Sequence, residues 1–459
     1  MYVIKYRKPE EMKESGIEWV GKIPREWHLL KGKYLYLCKK IINRGKIKDI
    51  ISLTLNGVVD RDPENNDGLQ PKDFNGYQEF YKDDLVFKLI DLENISTSRV
   101  GIVHKDGIMS PAYIRLTKKQ DNKIHNKFYY YLYYSFYIKH IFNNIGNSGV
   151  RSSMNSSDLL DMMILNLGYY EQKQIANFLD IKTAQFDSII SKKEKLIEKL
   201  EEAKKSLISE VVTGKVKIVD GQMVQRKPEE MKNSGVEWLG MIPKEWKVKK
   251  LGYLFSFKNG VNADASKYGK GIKFINVKEV IDNETIQFDQ IANSVDISRN
   301  LIQENLVVKG DIVLNRTSET TEEIGLTSVY LSEERVVFGG FVIRGREIIR
   351  NELILEFKKY CFNSSEVRTQ IISYASGSIR KNISQGNLKN VYLTYPHKKE
   401  QTLIADYLKE KIDNINKIIG KIQTQIQKLK EAKQSLISEA VTGKIDLRDW
   451  EIIEEEGGA

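Results

Sequence analysis

Proline is scarce in this 459-residue chain, with eight residues and no two adjacent, cysteine is nearly absent, and no run of about 18 apolar residues occurs. Each shortage excludes something. An adenine amino-methyltransferase grips its base with Asn or Asp followed by two prolines and an aromatic, so that site is missing. Two distant cysteines, Cys38 and Cys361, supply neither a disulfide framework nor a zinc cluster. His28, His104, His125, His140 and His397 stand singly, without metal-ligand spacing. No Gly-Lys pair precedes Ser or Thr, which removes the phosphate loop of an ATP-driven motor, and no Gly-x-Ser-x-Gly elbow occurs. Tyr268-Gly-Lys-Gly271 reads as a surface turn. The opening residues lack the apolar core of a signal peptide, so the expected compartment is the cytoplasm, with no membrane partner.

What is present is a soluble composition, 41% hydrophobic and 29% charged, with a formal net charge of +10 that favours a polyanionic partner. The length predicts two or three domains. Above all, the chain repeats itself. Arg7 to Trp27 (RKPEEMKESGIEWVGKIPREW) matches Arg226 to Trp246 (RKPEEMKNSGVEWLGMIPKEW) at 16 of 21 positions, at an offset of 219. Glu202 to Lys215 (EAKKSLISEVVTGK) matches Glu431 to Lys444 (EAKQSLISEAVTGK) at 12 of 14, at an offset of 229. Between these borders lie two dissimilar stretches, 28–170 and 247–399. The division is therefore 1–170, a first variable domain with its leading segment; 171–218, a first conserved helix; 219–399, the second variable domain; 400–444, the second helix; and a tail, 445–459.

From Glu171 to Val212 there is neither Pro nor Gly, and Phe186, Ile189, Leu196, Leu200, Ala203 and Leu207 fall at heptad spacing, with Lys193 as the polar exception. The second copy places Ile415, Ile418, Ile422, Leu429, Ala432 and Leu436 likewise, with Gln425 intruding. Helices of roughly 40 residues, about 60 Å long, form either an antiparallel coiled coil that spaces the variable domains or part of a bundle in a larger core. Gly214 and Gly443 are positioned to close them.

Both variable units show the same strand order: Asp84-Leu-Val-Phe-Lys-Leu, Val100-Gly-Ile-Val and Ala112-Tyr-Ile-Arg-Leu in one, and Asp311-Ile-Val-Leu-Asn-Arg, Gly325-Leu-Thr-Ser-Val-Tyr and Phe341-Val-Ile-Arg in the other. An aromatic helix follows each, over Phe128 to Phe142 and Leu353 to Tyr374. The tyrosines of the first, Tyr129 to Tyr137, are expected to fill core rather than stack on bases. Next comes a polar loop around one arginine, Asn147-Ser148-Gly-Val-Arg151 and Gly377-Ser-Ile-Arg380-Lys381-Asn382, leading into helices capped by Asn155 and Ser384. Such an arginine either meets a phosphate or base or ties its loop to the domain's own carboxylates. Arg151, Ser148, Arg380, Lys381 and Asn382 are the candidate DNA contacts.

Glu18-Trp-Val-Gly-Lys-Ile-Pro-Arg-Glu-Trp27 and its partner Glu237 to Trp246 resemble the opening motif of type I restriction-modification specificity subunits, as do Asp84-Leu-Val-Phe-Lys-Leu-Ile-Asp-Leu and Ser110-Pro-Ala-Tyr113. Glu171-Gln-Lys-Gln-Ile-Ala-Asn-Phe-Leu179, echoed at Glu400 to Leu408, and Leu-Ile-Ser-Glu-x-Val-Thr-Gly-Lys are similar to that family's conserved helix. One departure is that the second unit has Thr394-Tyr-Pro396-His where the first has Asn166-Leu-Gly168-Tyr. The resemblance implies an α+β chain with two target-recognition domains of similar fold, separated by an antiparallel coiled coil with pseudo-two-fold symmetry. Each domain would read half of a split, asymmetric site in double-stranded DNA without catalysing a reaction. Two methyltransferase and two restriction subunits would dock on it, bringing S-adenosylmethionine, ATP and magnesium; this chain would hold no cofactor. Phe186, Ile189, Leu196, Leu200, Leu207, Ile415, Ile418, Ile422, Leu429 and Leu436 would form the spacer and partner-binding helices. The competing reading is a coiled-coil scaffold whose basic domains bind proteins.

Overall fold

A computed structural model describes residues 4–61, 74–92, 99–145, 153–349, 351–378 and 380–450. The chain forms two units. The first contains the described residues up to Glu194 together with those from Gln423, and the second runs from Lys195 to Ile422. Each is a mixed α+β body.

In the first unit a four-stranded sheet has the order Tyr36–Cys38, Ile114–Lys118, Leu85–Lys88, Arg99–Ile102, with every neighbouring pair antiparallel. In the second, Phe255–Asn259, Val342–Glu347, Ile312–Asn315 and Thr327–Tyr330 repeat that order, and Thr285–Ile286 adds a parallel edge. The three expected strands of each unit are therefore all present. One face of the first sheet buries Leu85, Phe87 and Leu116 against Phe128, Tyr129, Leu132, Tyr133 and Phe136. Those residues lie on the helix Asn126–Ile138, and Phe87 meets Tyr133 edge-on at 5.1 Å. The tyrosine-rich run is core, with Tyr129, Tyr131 and Tyr133 all buried. It is shorter than expected, because His140 takes a φ of 54° and the chain restarts as Ile141–Ile145. Its counterpart is also broken, into Leu355–Cys361 and Ser365–Tyr374.

The long helices run Tyr169–Val212 and Lys398–Val441. The start of each carries a repeated lock. Gln172, fully buried, donates from Nε2 to the carbonyls of Lys123 and Leu167 and accepts from the amide of His125. Gln401 does the same with Glu352, Pro396 and Ile354. Pro396 and Leu167 thus hold the same place despite their different chemistry.

Within the first unit the end of the second helix lies antiparallel to the start of the first: Lys193 Nζ donates to Gln425 Oε1 at 2.7 Å, and Lys433 meets Asp187 at 2.6 Å. Leu436, Ile437, Ala440 and Val441 share a core with Ile175, Ala176, Phe178 and Leu179. Within the second unit the roles reverse, and Ile208, Val211 and Val212 pack in one core with Ile404, Ala405, Leu408 and Ile412.

The heptad register needs a correction. Phe186, Leu200, Leu207, Ile415 and Leu429 are half-buried, and Ile422 and Leu436 are buried. Ile189, Leu196 and Ile418, however, stand 44%, 45% and 47% exposed. Their neighbours take the inward positions, with Ile190 and Ile419 buried and Ile197 half-buried. Adjacent apolar residues satisfy spacings of three and of four equally, so the alternation alone does not choose between them.

The two units close differently. Val216–Val219 and Gln222–Gln225 form a hairpin through Asp220 (φ 50°) and Gly221 (φ 72°), a two-residue turn with both φ values positive. The first unit reproduces one rung of it without a covalent link. Tyr6 bridges Ile445, the positions equivalent to Gln225 and Val216, while the Arg7 amide donates to Lys444 O at 2.9 Å. A break there is compatible with the fold. A chain carrying a protease site between Asp220 and Gly221 is therefore expected to co-elute as two fragments after cleavage, since each unit's core contains segments from both. Separation of the fragments on size-exclusion chromatography at neutral pH would refute the shared cores.

Candidate nucleic-acid interface

In the second unit the central strand Ile312–Asn315 runs out into Arg316, and Thr317–Ser318 then pairs antiparallel with Lys381–Asn382. Asn315 is fully buried and donates from Nδ2 to Glu323 O at 3.0 Å, which bends the chain away from the sheet. Thr317 Oγ1 donates to Asn382 Oδ1, and Asn382 exchanges backbone hydrogen bonds with Ser376. The Ile383 amide donates to Arg316 O at 3.1 Å, and the Arg316 amide to Phe341 O at 2.9 Å. Three segments distant in sequence thus meet at one surface. Ser384 caps the helix that follows, accepting from the Asn387 amide at 3.0 Å.

Of the expected contacts, Arg380, Lys381 and Asn382 come together here. Arg380 is mostly exposed and donates from Nε and Nη2 to Glu319 Oε1 at 3.1 and 2.9 Å. It therefore adopts the second of the two alternatives, a tie to the domain's own carboxylate. The tie is weak, because an ion pair exposed on both sides contributes roughly 0–1 kcal/mol. Asn382 is committed to Thr317 and to Arg380 O. Arg316, Glu319 and Phe341 complete the surface, and sequence reasoning missed them. The Gly339-Gly340 pair before Phe341 is the available signal.

At the opposite end of the strand Ile312–Asn315, an ion pair with a buried carboxylate braces the sheet. Asp311 is held by Arg346 at 2.6 Å, with the amide of Val308 donating to the same carboxylate. Asp84 in the first unit is held by Arg115 at 2.6 Å and by Thr117 Oγ1 at 2.8 Å. Burial pushes the Asp84 carboxyl above the usual carboxylate range, outweighing the donors around it.

The first unit builds the same corner. Ile90 bridges Ser153, equivalent to Thr317 and Asn382, and the Met154 amide donates to Leu89 O. Asn155 caps the next helix through the amides of Ser157 and Asp158. Ser148 and Arg151 lie outside the described residues. The turn Ser110 to Tyr113, with Ala112 where the second unit has Phe341, is held by Gln78 Nε2 on the carbonyls of Ser110 and Tyr113.

Among the described residues no group of three or more His, Cys, Asp or Glu side chains is placed to hold a metal ion, and no helix is long and apolar enough to cross a membrane.

Residues 243–428 match the family described as the type I restriction modification DNA specificity domain. The type I restriction enzyme MjaVIII specificity subunit of Methanocaldococcus jannaschii is 26% identical over 75% of this chain and 76% of its own. The putative MjaX specificity subunit of the same organism is 24% identical over 97% and 99%. Among solved structures, a chain from work on complex assembly and conformational transition of the type I R-M system shares the fold at a TM-score of 0.64. It is 14% identical, with 92% of this chain and 99% of that chain covered.

Proposed function

We propose that this chain is a specificity subunit of a type I restriction-modification system, and that each of its two units reads one half of a split DNA site for partner subunits that perform the chemistry. The observation that carries this reading is one corner built twice from different residues: strand end, paired segment and capped helix recur in both units, while the side chains they present differ. A shared frame with unlike contents suits two unlike half-sites. The net charge of +10 supports a polyanionic partner.

Partner docking falls on what is duplicated. In the first unit Ile4, Tyr6, Phe186, Ile189, Ala432 and Leu436 line an apolar groove. The equivalent positions in the second are Met223, Gln225, Ile415, Ile418, Ala203 and Leu207. Two like surfaces suit two like methyltransferase subunits, which would bring S-adenosylmethionine and take one adenine out of the stack in each half-site. Restriction subunits with ATP and magnesium would join that complex. The exposure of Ile189 and Ile418 then has a use, since these residues would be covered by partner rather than by the helix seam.

The test is to co-purify the chain with its methyltransferase partner and map methylated adenines by long-read sequencing. Two short fixed elements separated by a gap of constant length are expected. A continuous motif, or none, would overturn the reading.

Arg380 gives a sharper readout. Glu319→Ala is expected to free its guanidinium and raise the complex's DNA affinity at low salt. Arg380→Ala is expected to lower the affinity and to reduce the salt slope by about 1, the signature of one lost phosphate contact. Unchanged binding in both variants would leave the arginine a purely internal tie.

A further inference from the structure

Phe341 stands 54% exposed, although Phe255, Phe257, Phe274, Phe338, Phe357 and Phe362 of the same unit are all buried. Its backbone is rigidly held. The Val261 amide donates to Phe338 O at 2.8 Å, the Gly340 amide to Val261 O at 2.9 Å, and the Gly339 amide to Ile275 O at 2.9 Å. A Cβ on Gly260 would strike the carbonyls of Phe338 and Gly339, and one on Gly340 would strike the Asn262 side chain. The glycines are there because main chains cross in contact, and the outcome is a fixed turn that presents an apolar ring to solvent.

The segments bonded to this turn's backbone are polar and cationic. Arg316 donates from its amide to Phe341 O and from Nη1 to Gly340 O at 3.2 Å, and the strand pair Thr317–Ser318 with Lys381–Asn382 follows directly. Cations flanking one apolar group match a ligand whose phosphates surround an apolar feature. On the edges of B-DNA base pairs that feature is the thymine 5-methyl, displayed in the major groove, which is wide enough for a two-stranded ribbon.

We propose that Phe341 reads the 5-methyl group of a thymine in the half-site served by the second unit. This rests on the DNA-reading function proposed above and deepens it. The first unit has Ala112 at the equivalent position and offers no such ring.

Once the methylated motif is known, each thymine of a synthetic site can be replaced in turn by deoxyuridine, which removes the methyl alone. Affinity is then measured for the complex with its methyltransferase partner. One position in the second unit's half-site is expected to lose about three- to fivefold in the wild-type complex, the scale of withdrawing one methyl from an apolar contact. Phe341→Ala is expected to lose affinity for the thymine site and to become indifferent to that replacement, whereas Phe341→Leu retains part of the preference. A deoxyuridine penalty of the same size in wild type and Phe341→Ala, or no penalty anywhere in that half-site, overturns the proposal and leaves the DNA-reading function standing. A complex with no sequence preference at all overturns both.

Discussion

Glu171→Ala is expected to destabilise the first unit by about 3 kcal/mol, at the low end of the cost of removing one partner from a buried charge pair. The Arg7 side chain is 1% exposed and its Nη2 donates to Glu171, while Trp27 Nε1 donates to the other carboxylate oxygen at 2.9 Å. Arg7 keeps a second partner in Glu26 at 2.9 Å, which limits the loss. Burial pushes the Glu171 carboxyl above its ordinary range, outweighing the hydrogen bond from Trp27 and the charge of Arg7. Glu171→Gln keeps one acceptor oxygen but turns an NH2 toward the other donor, so it is expected to cost about 1–2 kcal/mol, less than the alanine variant. Amide exchange over residues 171–179 and 436–441 checks both variants, with a rise of roughly a hundredfold for the alanine variant and roughly tenfold for the glutamine. A glutamine variant as stable as the wild type would show that the second accepted hydrogen bond contributes nothing. The second unit repeats it with Arg226, Glu400 and Trp246, whose Nε1 donates at 3.2 Å.

Gly443→Ala and Gly214→Ala are each expected to cost about 3 kcal/mol, and Gly420→Ala to stabilise. Gly443 and Gly214 close the long helices at φ 71° and 74°, where any Cβ costs about 1–2 kcal/mol. There is no room for one either. It would lie 2.5 Å from Pro24 Cγ in the first unit and 2.5 Å from Pro243 Cγ in the second, with Trp27 and Trp246 just beyond, and such overpacking adds about 1–3 kcal/mol. Gly420 sits inside the second long helix with nothing within 4 Å of its would-be Cβ, so alanine there gains roughly 0.5–1 kcal/mol of helix propensity. Urea unfolding followed separately by exchange in each unit would read these signs. A tolerated Gly443→Ala would mean that the Pro-Trp platform yields.

How much of this was legible differs by feature. Strand order, both long helices and the caps at Asn155 and Ser384 follow from local patterns, because alternation, periodicity and a side-chain oxygen before a helix act over a few residues. The docking of Pro24 and Trp27 on the glycine of the other repeat's helix has no such signal. It joins residues more than 400 positions apart, and the motif reads the same whichever helix end it covers. Arg380 was identified as a loop cation, but its pairing with Glu319 depends on two loops meeting, as does the emergence of Phe341 from a turn of crossing glycines.

That the chain is one framework written twice around two unlike contents is legible from residue order alone, since duplication survives in linear order and needs no coordinates. Folding settles which of two neighbouring isoleucines faces inward, which helix end each opening motif clamps, and which side chains reach the surface of the corner. Those choices are made by packing against residues far along the chain, and hydrophobic periodicity specifies that a face is buried without naming what buries it.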